Sequence, residues 1–243
     1  MKLSKQDVSR LHTILQTAAL GGIEAICFKE EDLFKFASGL NKGSTCALIT
    51  TEIPALSQKL GLNRVNILKS RLDLLINHPD LSIDAKEHER GEISQLEITA
   101  GKAKMSYRAS ASSMIKAPRE IEDPMIGLCT IKKEQWDLIV GAIRSMSAKQ
   151  VCLILKQDGQ VIFEAADEST TDRFSVVLDD PLEAPDGLEE SMVHYLPSDM
   201  LVTIARAAMT EDKLCFSVGV GGTVKMIVNN CEMSIFAQVN SED

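Results

Sequence analysis

One amphipathic pattern occurs twice in this chain, and the recurrence limits the folds open to it. Residues 4–19 place Val8, Leu11 and Leu15 on one helical face. Residues 131–146 do the same with Trp136, Ile139, Val140 and Ile143. At an offset of 128 residues Leu3 meets Ile131, Lys5 meets Lys133, Val8 meets Trp136, Leu11 meets Ile139 and Leu15 meets Ile143. Each pattern opens on a hydroxyl, Ser4 or Thr130, which is N-cap chemistry. Each is followed by β-rich segments, a second helix and further strands. The second helices are predicted at 63–76 and 197–209, with Pro197 suited to the first turn. Pairing Val65 with Leu201 and Leu68 with Ile204 gives an offset of 136, close to the first. The sequence therefore predicts a tandem duplication.

Alternation and turn residues predict strands at 23–29, 45–51, 81–87, 93–99 and 102–109, then at 150–156, 160–167, 172–179, 190–195, 212–218, 223–229 and 232–239. Gln157-Asp158-Gly159, residues 219–222 and Asn229-Asn230 mark hairpin turns. The class is α+β, with two helices packed on antiparallel sheets in each half. The 243 residues suffice for two domains, expected at 1–111 and 130–243. Residues 112–129 read as a linker, with Pro118, Pro124 and many charges but no period. Met125-Ile126-Gly127-Leu128 near its end is apolar and should lie against something.

Apolar residues make up 44%, enough for a core and against disorder. No run approaches the ~18 apolar residues of a membrane span. The start is polar and carries Asp7, unlike a signal peptide, so a cytoplasmic protein without membrane contact is expected. The six cysteines form no C-x-x-C and mostly sit in apolar strand-like runs. They read as buried free thiols, with disulfides or zinc as the alternatives. His12, His78, His88 and His194 have no metal-ligand spacing, so no metal or other cofactor is expected. There is no G-x-S-x-G and no Walker lysine, and no catalytic residue stands out. The Gly-rich run 219–223 has no helix after it to bind phosphate, so it reads as a hairpin. Acidic runs at 30–32 and 183–190 read as solvated loops. Aromatic residues are too few for a base-stacking platform.

Charge is unevenly placed. The net charge is −9, yet the four predicted helices carry nine basic and five acidic side chains. That is +4 on the helices and −13 elsewhere. Basic residues are common on exposed helix faces, which is the plain explanation. The functional one is a mildly basic surface turned to a polyanion, where Lys and Arg meet phosphates without reading sequence. The candidates are Lys5, Arg10, Lys69, Arg71, Lys133, Lys149 and Arg206, with Arg10 placed opposite the Val8/Leu11/Leu15 face.

At this point the chain resembles the two-domain DNA sliding clamps, which include the T4-like phage clamps and the proliferating cell nuclear antigens. Met1-Lys2-Leu3-Ser4-Lys5 looks like the start of a T4-type phage clamp. Leu62-Asn63-Arg64-Val65-Asn66-Ile67-Leu68 looks like the clamp's second helix. Tyr195-Leu196-Pro197, Leu214-Cys215-Phe216-Ser217-Val218, Val224-Lys225-Met226-Ile227-Val228 and Ser234-Ile235-Phe236-Ala237 follow in family order, before the acidic tail Ser241-Glu242-Asp243. The resemblance implies a homotrimeric ring of six domains, with twelve helices lining a hole that encircles duplex DNA. It also implies a DNA polymerase and a clamp loader as partners. A partner-peptide pocket falls approximately on Ala47, Ile126, Val224, Ile235 and Phe236. A subunit interface pairs strand 102–109 with strand 172–179, near Tyr107 and Phe174. The competing readings are a structural or virion protein built from a duplicated β-rich domain, and an enzyme whose site is assembled from scattered residues.

Overall fold

Helix α1 (Lys5–Leu20) starts where its cap predicts. The Ser4 hydroxyl accepts the Asp7 amide at 3.1 Å, and the Asp7 carboxylate accepts the Ser4 amide at 3.1 Å. Two N–H groups left over by the helix start are thereby paired. Asp7 also accepts the Ala55 amide at 2.7 Å, which ties the helix start to a neighbouring loop. The fold is that of a computed structural model, which describes residues 1–31, 34–88, 91–167, 169–183, 188 and 190–238.

After α1 come β1 (Ile26–Glu31), β2 (Phe34–Leu40), β3 (Cys46–Thr50), β4 (Lys59–Leu62), α2 (Val65–Asp73), β5 (Ser82–His88), β6 (Glu92–Ala100) and β7 (Ala103–Arg108). Then come β8 (Met125–Lys132), α3 (Lys133–Ser145), β9 (Gln150–Leu155), β10 (Val161–Ala166), β11 (Arg173–Val177), β12 (Met192–Pro197), α4 (Ser198–Ala208), β13 (Lys213–Gly219), β14 (Val224–Val228) and β15 (Cys231–Ile235). The chain divides into two compact units. The first is Met1–Glu120 with Asn229–Glu232, and the second is Ile121–Val228 with the residues from Met233 onward.

The predicted duplication is present in the connectivity. In the first unit β3-β2-β1-β4 form an antiparallel run. In the second, β11-β10-β9-β12 do the same. β5, β6 and β7 follow α2 as a meander, and β13, β14 and β15 follow α4. β8 pairs with β13. The chain start takes the matching place beside β5, with the Leu3 amide on the Ile83 carbonyl at 2.8 Å. Each helix buries its apolar stripe against its own unit: Val8, Leu11, Ile14 and Leu15 on α1, and Trp136, Ile139 and Ile143 on α3. Trp136 meets Phe163 edge-on at 6.5 Å and Phe163 meets Phe216 at 6.1 Å, so α3, β10 and β13 share one aromatic core.

Several expectations are corrected. β2 and β4 are missing from the strands expected on alternation, because Gly39 and Gly61 interrupt their strand signal. Both glycines mark close backbone approach: a Cβ at Gly39 would lie 2.6 Å from the Ala25 carbonyl oxygen, and at Gly61 2.5 Å from that of Ser110. Met125–Leu128 belongs to β8, since its apolar residues pair with β13. Thr130 is a strand residue and caps nothing; the N-cap of α3 is Lys132, without a side-chain bond. Pro197 ends β12 and is the N-cap of α4, one residue short of the first turn. Not all cysteines are buried. Cys215 is exposed and Cys152 half-buried, because strand alternation turns both outward on β13 and β9. Asp32, residues 89–90, 184–187 and 189, the end of strand 232–239 and the acidic tail 241–243 lie outside the described residues. No described helix is long and apolar enough to cross a membrane. Among the described residues no three His, Cys, Asp or Glu converge as metal ligands would.

Candidate nucleic-acid interface

The outward helix faces carry cations of two kinds. Lys5 on α1, Arg71 on α2 and Arg206 on α4 are exposed and make no ion pair among the described residues. Arg144, in the last turn of α3, is a fourth such cation, absent from the candidates chosen on sequence. The sequence does carry a signal for it: it is one of the nine helix cations, at the C-terminal end where a positive charge suits the dipole. Lys69 and Lys133 are held four residues along their own helices, to Asp73 at 2.7 Å and to Asp137 at 2.8 Å. Exposed pairs of this kind are weak and screened by solvent, so a phosphate can compete for either lysine. Lys149 is exposed just beyond α3, and its carbonyl accepts the Ser198 amide at 3.0 Å.

Asp73 also receives His12, whose Nε2 lies 2.6 Å from the carboxylate. The hydrogen bond from Lys69, and then that from His12, hold this carboxyl below the usual range. The contact fastens α1 to α2 in the first unit.

Arg10 has a different surrounding from the one its helical position suggests. Its side chain is only 17% exposed. Nε donates to the Glu52 carbonyl, Nη1 to that of Asn229 at 3.0 Å, and Nη2 to the Thr50 hydroxyl at 3.1 Å. The Glu52 carboxylate closes the set at 3.3 Å. The helical wheel misleads because the buried arc of α1 is wider than three residues define. Ile14 and Thr17, four and seven positions on from Arg10, are both fully buried.

The two residues assigned to a subunit interface part company. Tyr107 is 1% exposed. Its hydroxyl accepts the Arg64 amide at 3.2 Å, and the Arg64 guanidinium lies 5.2 Å from the ring centroid. It is core of its own unit, because it sits on the inward side of β7. Phe174, on β11, is 42% exposed, and Val177 on the same strand 48%. Among the described residues β7 pairs only with β6 and β11 only with β10, so each unit keeps an unpaired sheet edge.

The residues assigned to a peptide pocket separate in the same way. Ala47, Val224 and Ile235 are fully buried, Val224 and Ile235 on the inward faces of β14 and β15, and Ala47 on the face of β3 shared with half-buried Ile49, opposite the face of Leu48 and Thr50. Ile126 and Phe236 are half-buried. The second unit's exposed apolar side chains on these elements include Met125 and Leu128 on β8, Val220 in the turn after β13 and Ile227 on β14. Leu128 pairs with Ser217 and Ser217 with Lys225, which lies two residues before Ile227 on β14, so Leu128 and Ile227 share the outward face of this sheet.

No protein-family model matches the chain, and no curated protein matches it. Solved structures do. The structure of the C-terminal region of FEN-1 bound to A. fulgidus PCNA matches with a TM-score of 0.64 at 14% identity, over 99% of this chain and 98% of that one. PCNA from Thermococcus kodakaraensis matches with a TM-score of 0.66 at 10% identity, over 98% and 99%. The DNA polymerase III subunit beta from Pseudomonas aeruginosa matches with 0.66 at 12% identity, over all of this chain and 65% of that one. With two repeated helix-and-sheet units and a likeness spanning nearly the full length of both archaeal partners, the chain has the α+β fold of the DNA sliding clamps.

Proposed function

We propose that this chain is a sliding clamp, a processivity factor for a DNA polymerase. Three copies close into a ring of six units through β7 of one copy and β11 of the next. The two unpaired edges support this reading, since pairing satisfies backbone groups that a lone chain leaves to water. Phe174 and Val177 add apolar surface on the β11 side. Duplex DNA threads the ring against the helices, and Lys5, Arg71, Arg144 and Arg206 meet its phosphates. Lys69, Lys133 and Lys149 contribute less, and Arg10 supports the fold rather than the DNA. Four cations per chain on an otherwise acidic protein suit loose, sequence-independent contact, which permits sliding. A clamp loader opens the ring, and the polymerase docks apolar anchors on Leu128, Ile227, Ile126 and Phe236. The role is topological and requires no bond chemistry.

The observation that carries the proposal is the coverage: the likeness to archaeal PCNA runs over 98% of this chain and 99% of that one. The test is retention on DNA after loading. A ring stays on a nicked circle at moderate salt and runs off when the circle is cut, and sedimentation gives a trimer. A monomer at micromolar concentration and low salt, or equal retention on circular and linear DNA, overturns it.

A further inference from the structure

The Gly-rich run at 219–223 forms the predicted hairpin turn between β13 and β14, and the turn has an occupant. Asp123, from the linker, places its carboxylate in it. Oδ1 accepts the Gly221 amide at 2.9 Å and Oδ2 the Thr223 amide at 3.0 Å. The next residue joins in: the Pro124 carbonyl accepts the Val220 amide at 3.0 Å. Three amides of one turn thus face two consecutive linker residues. Successive N–H groups gathered around one anion form a nest.

The glycines follow from this packing. A Cβ at Gly219 would lie 2.3 Å from the Asp123 carboxylate, and one at Gly221 3.3 Å from it. On the opposite side, a Cβ at Gly222 would lie 2.5 Å from His194 Nδ1, and Gly222 also has φ +81°. The turn is held between Asp123 and His194. Burial alone would raise the Asp123 pKa. The Thr223 and Gly221 hydrogen bonds outweigh it and leave the carboxyl below its usual range. Immediately after Asp123 and Pro124, β8 begins with a register irregularity opposite Val218 and Gly219.

We infer that Asp123 is a positioning residue: it latches the linker's end into the 219–223 turn and so sets Met125 and Ile126, the first residues of β8, for peptide docking. The docking part rests on the clamp reading; the latch does not.

Hydrogen exchange on the full chain tests the latch. Asp123→Ala should speed exchange at the Gly221 and Thr223 amides about tenfold, since their charged acceptor is removed. Gly219→Ala should do the same, because its methyl displaces the carboxylate. The double variant should exchange no faster than either single one, as coupled changes do. Asp123→Asn, which keeps an acceptor oxygen, should restore part of the protection. Unchanged exchange in Asp123→Ala, or multiplied effects in the double variant, overturns the latch. Primer extension on a primed circle tests the docking role. Stimulation by the wild type that falls several-fold in Asp123→Ala supports it. Equal stimulation by both overturns it with the latch intact. No stimulation by the wild type overturns the clamp reading and the docking role together.

Discussion

Arg10 and Glu52 face each other at 3.3 Å, and around that pair the Arg10 guanidinium also collects the Thr50 hydroxyl and the carbonyls of Glu52 and Asn229. An arginine fork is suited to such a cage, because its fixed N–H directions satisfy several acceptors at once. The cage extends further: buried Thr50 also accepts the Glu52 amide at 3.2 Å, and Asn230 donates to the Glu52 carboxylate at 3.0 Å.

Arg10→Ala should therefore destabilise the first unit by about 1–3 kcal/mol, the cost of leaving such acceptors unpaired. Arg10→Lys should recover little of it. Urea unfolding measures the change. If both variants unfold at the wild-type midpoint, the cage is not structural.

Charge reversal of Arg71, Arg144 or Arg206 should leave folding intact. It should reduce the salt slope of DNA binding by about one unit for each phosphate the protein ceases to neutralise. Lys133→Glu should do less, because Asp137 already holds that lysine at 2.8 Å. A slope unchanged by Arg144→Glu removes α3 from the proposed DNA surface.

How much of this is legible in the sequence follows from the range of each signal. The duplication is readable because a helical stripe is local and survives when identity does not: Val8 and Trp136 share a position and little else. β2 and β4 are concealed because a glycine at 39 or 61 looks the same whether it makes a turn or lets a neighbouring strand approach. The Asp123 latch joins residues 98 and 100 positions apart, a distance at which one sequence carries no signal. Tyr107 and Phe174 are indistinguishable as aromatic residues on strands. Tyr107 is covered by its own unit, whereas Phe174, on the same face as buried Val176 and opposite buried Ala165, stays exposed because β11 is, among the described residues, an unpaired edge strand.

The cysteines should separate by exposure. Burial pushes the thiols of Cys46 and Cys129 up to about 12, and those of Cys27 and Cys152 up to about 11. At pH 8 the thiolate fraction of such groups is about a thousandth or less. Iodoacetamide should label Cys215 first, half-buried Cys152 more slowly, and the four buried cysteines only after unfolding, as read by peptide mass spectrometry. Rapid labelling of Cys46 in the native protein would contradict the packing of β3.

Acid should weaken the second unit in two steps. Burial lowers the His194 pKa from its ordinary 6.5, with the Asp123 charge acting against that shift. The folded state thus prefers the neutral ring, so stability is full above about 6.5 and declines as pH falls from there towards the lower folded value. Asp123 adds a second loss, beginning below its ordinary 3.8 and complete once pH passes its lower folded value. Denaturant titrations between pH 8 and pH 5 should show the first step, and His194→Gln should flatten it. A wild-type midpoint that is constant over that range would show that His194 protonates freely in the folded chain.

Tyr107 and Phe174 should respond to substitution in opposite ways. Tyr107→Ala removes a buried ring and the partner of the Arg64 amide, and should cost about 3–5 kcal/mol with a lower melting temperature. Phe174→Asp alters an exposed side chain on an unpaired strand edge and should leave the melting temperature of the isolated chain nearly unchanged. In the proposed ring its effect should appear in assembly, as a shift from trimer to monomer in sedimentation, because a carboxylate replaces apolar surface beside the edge that β7 of the next copy would take. Phe174→Asp that sediments as the wild type would place the subunit junction elsewhere. Tyr107→Ala that folds normally yet fails to assemble would return that residue to the interface.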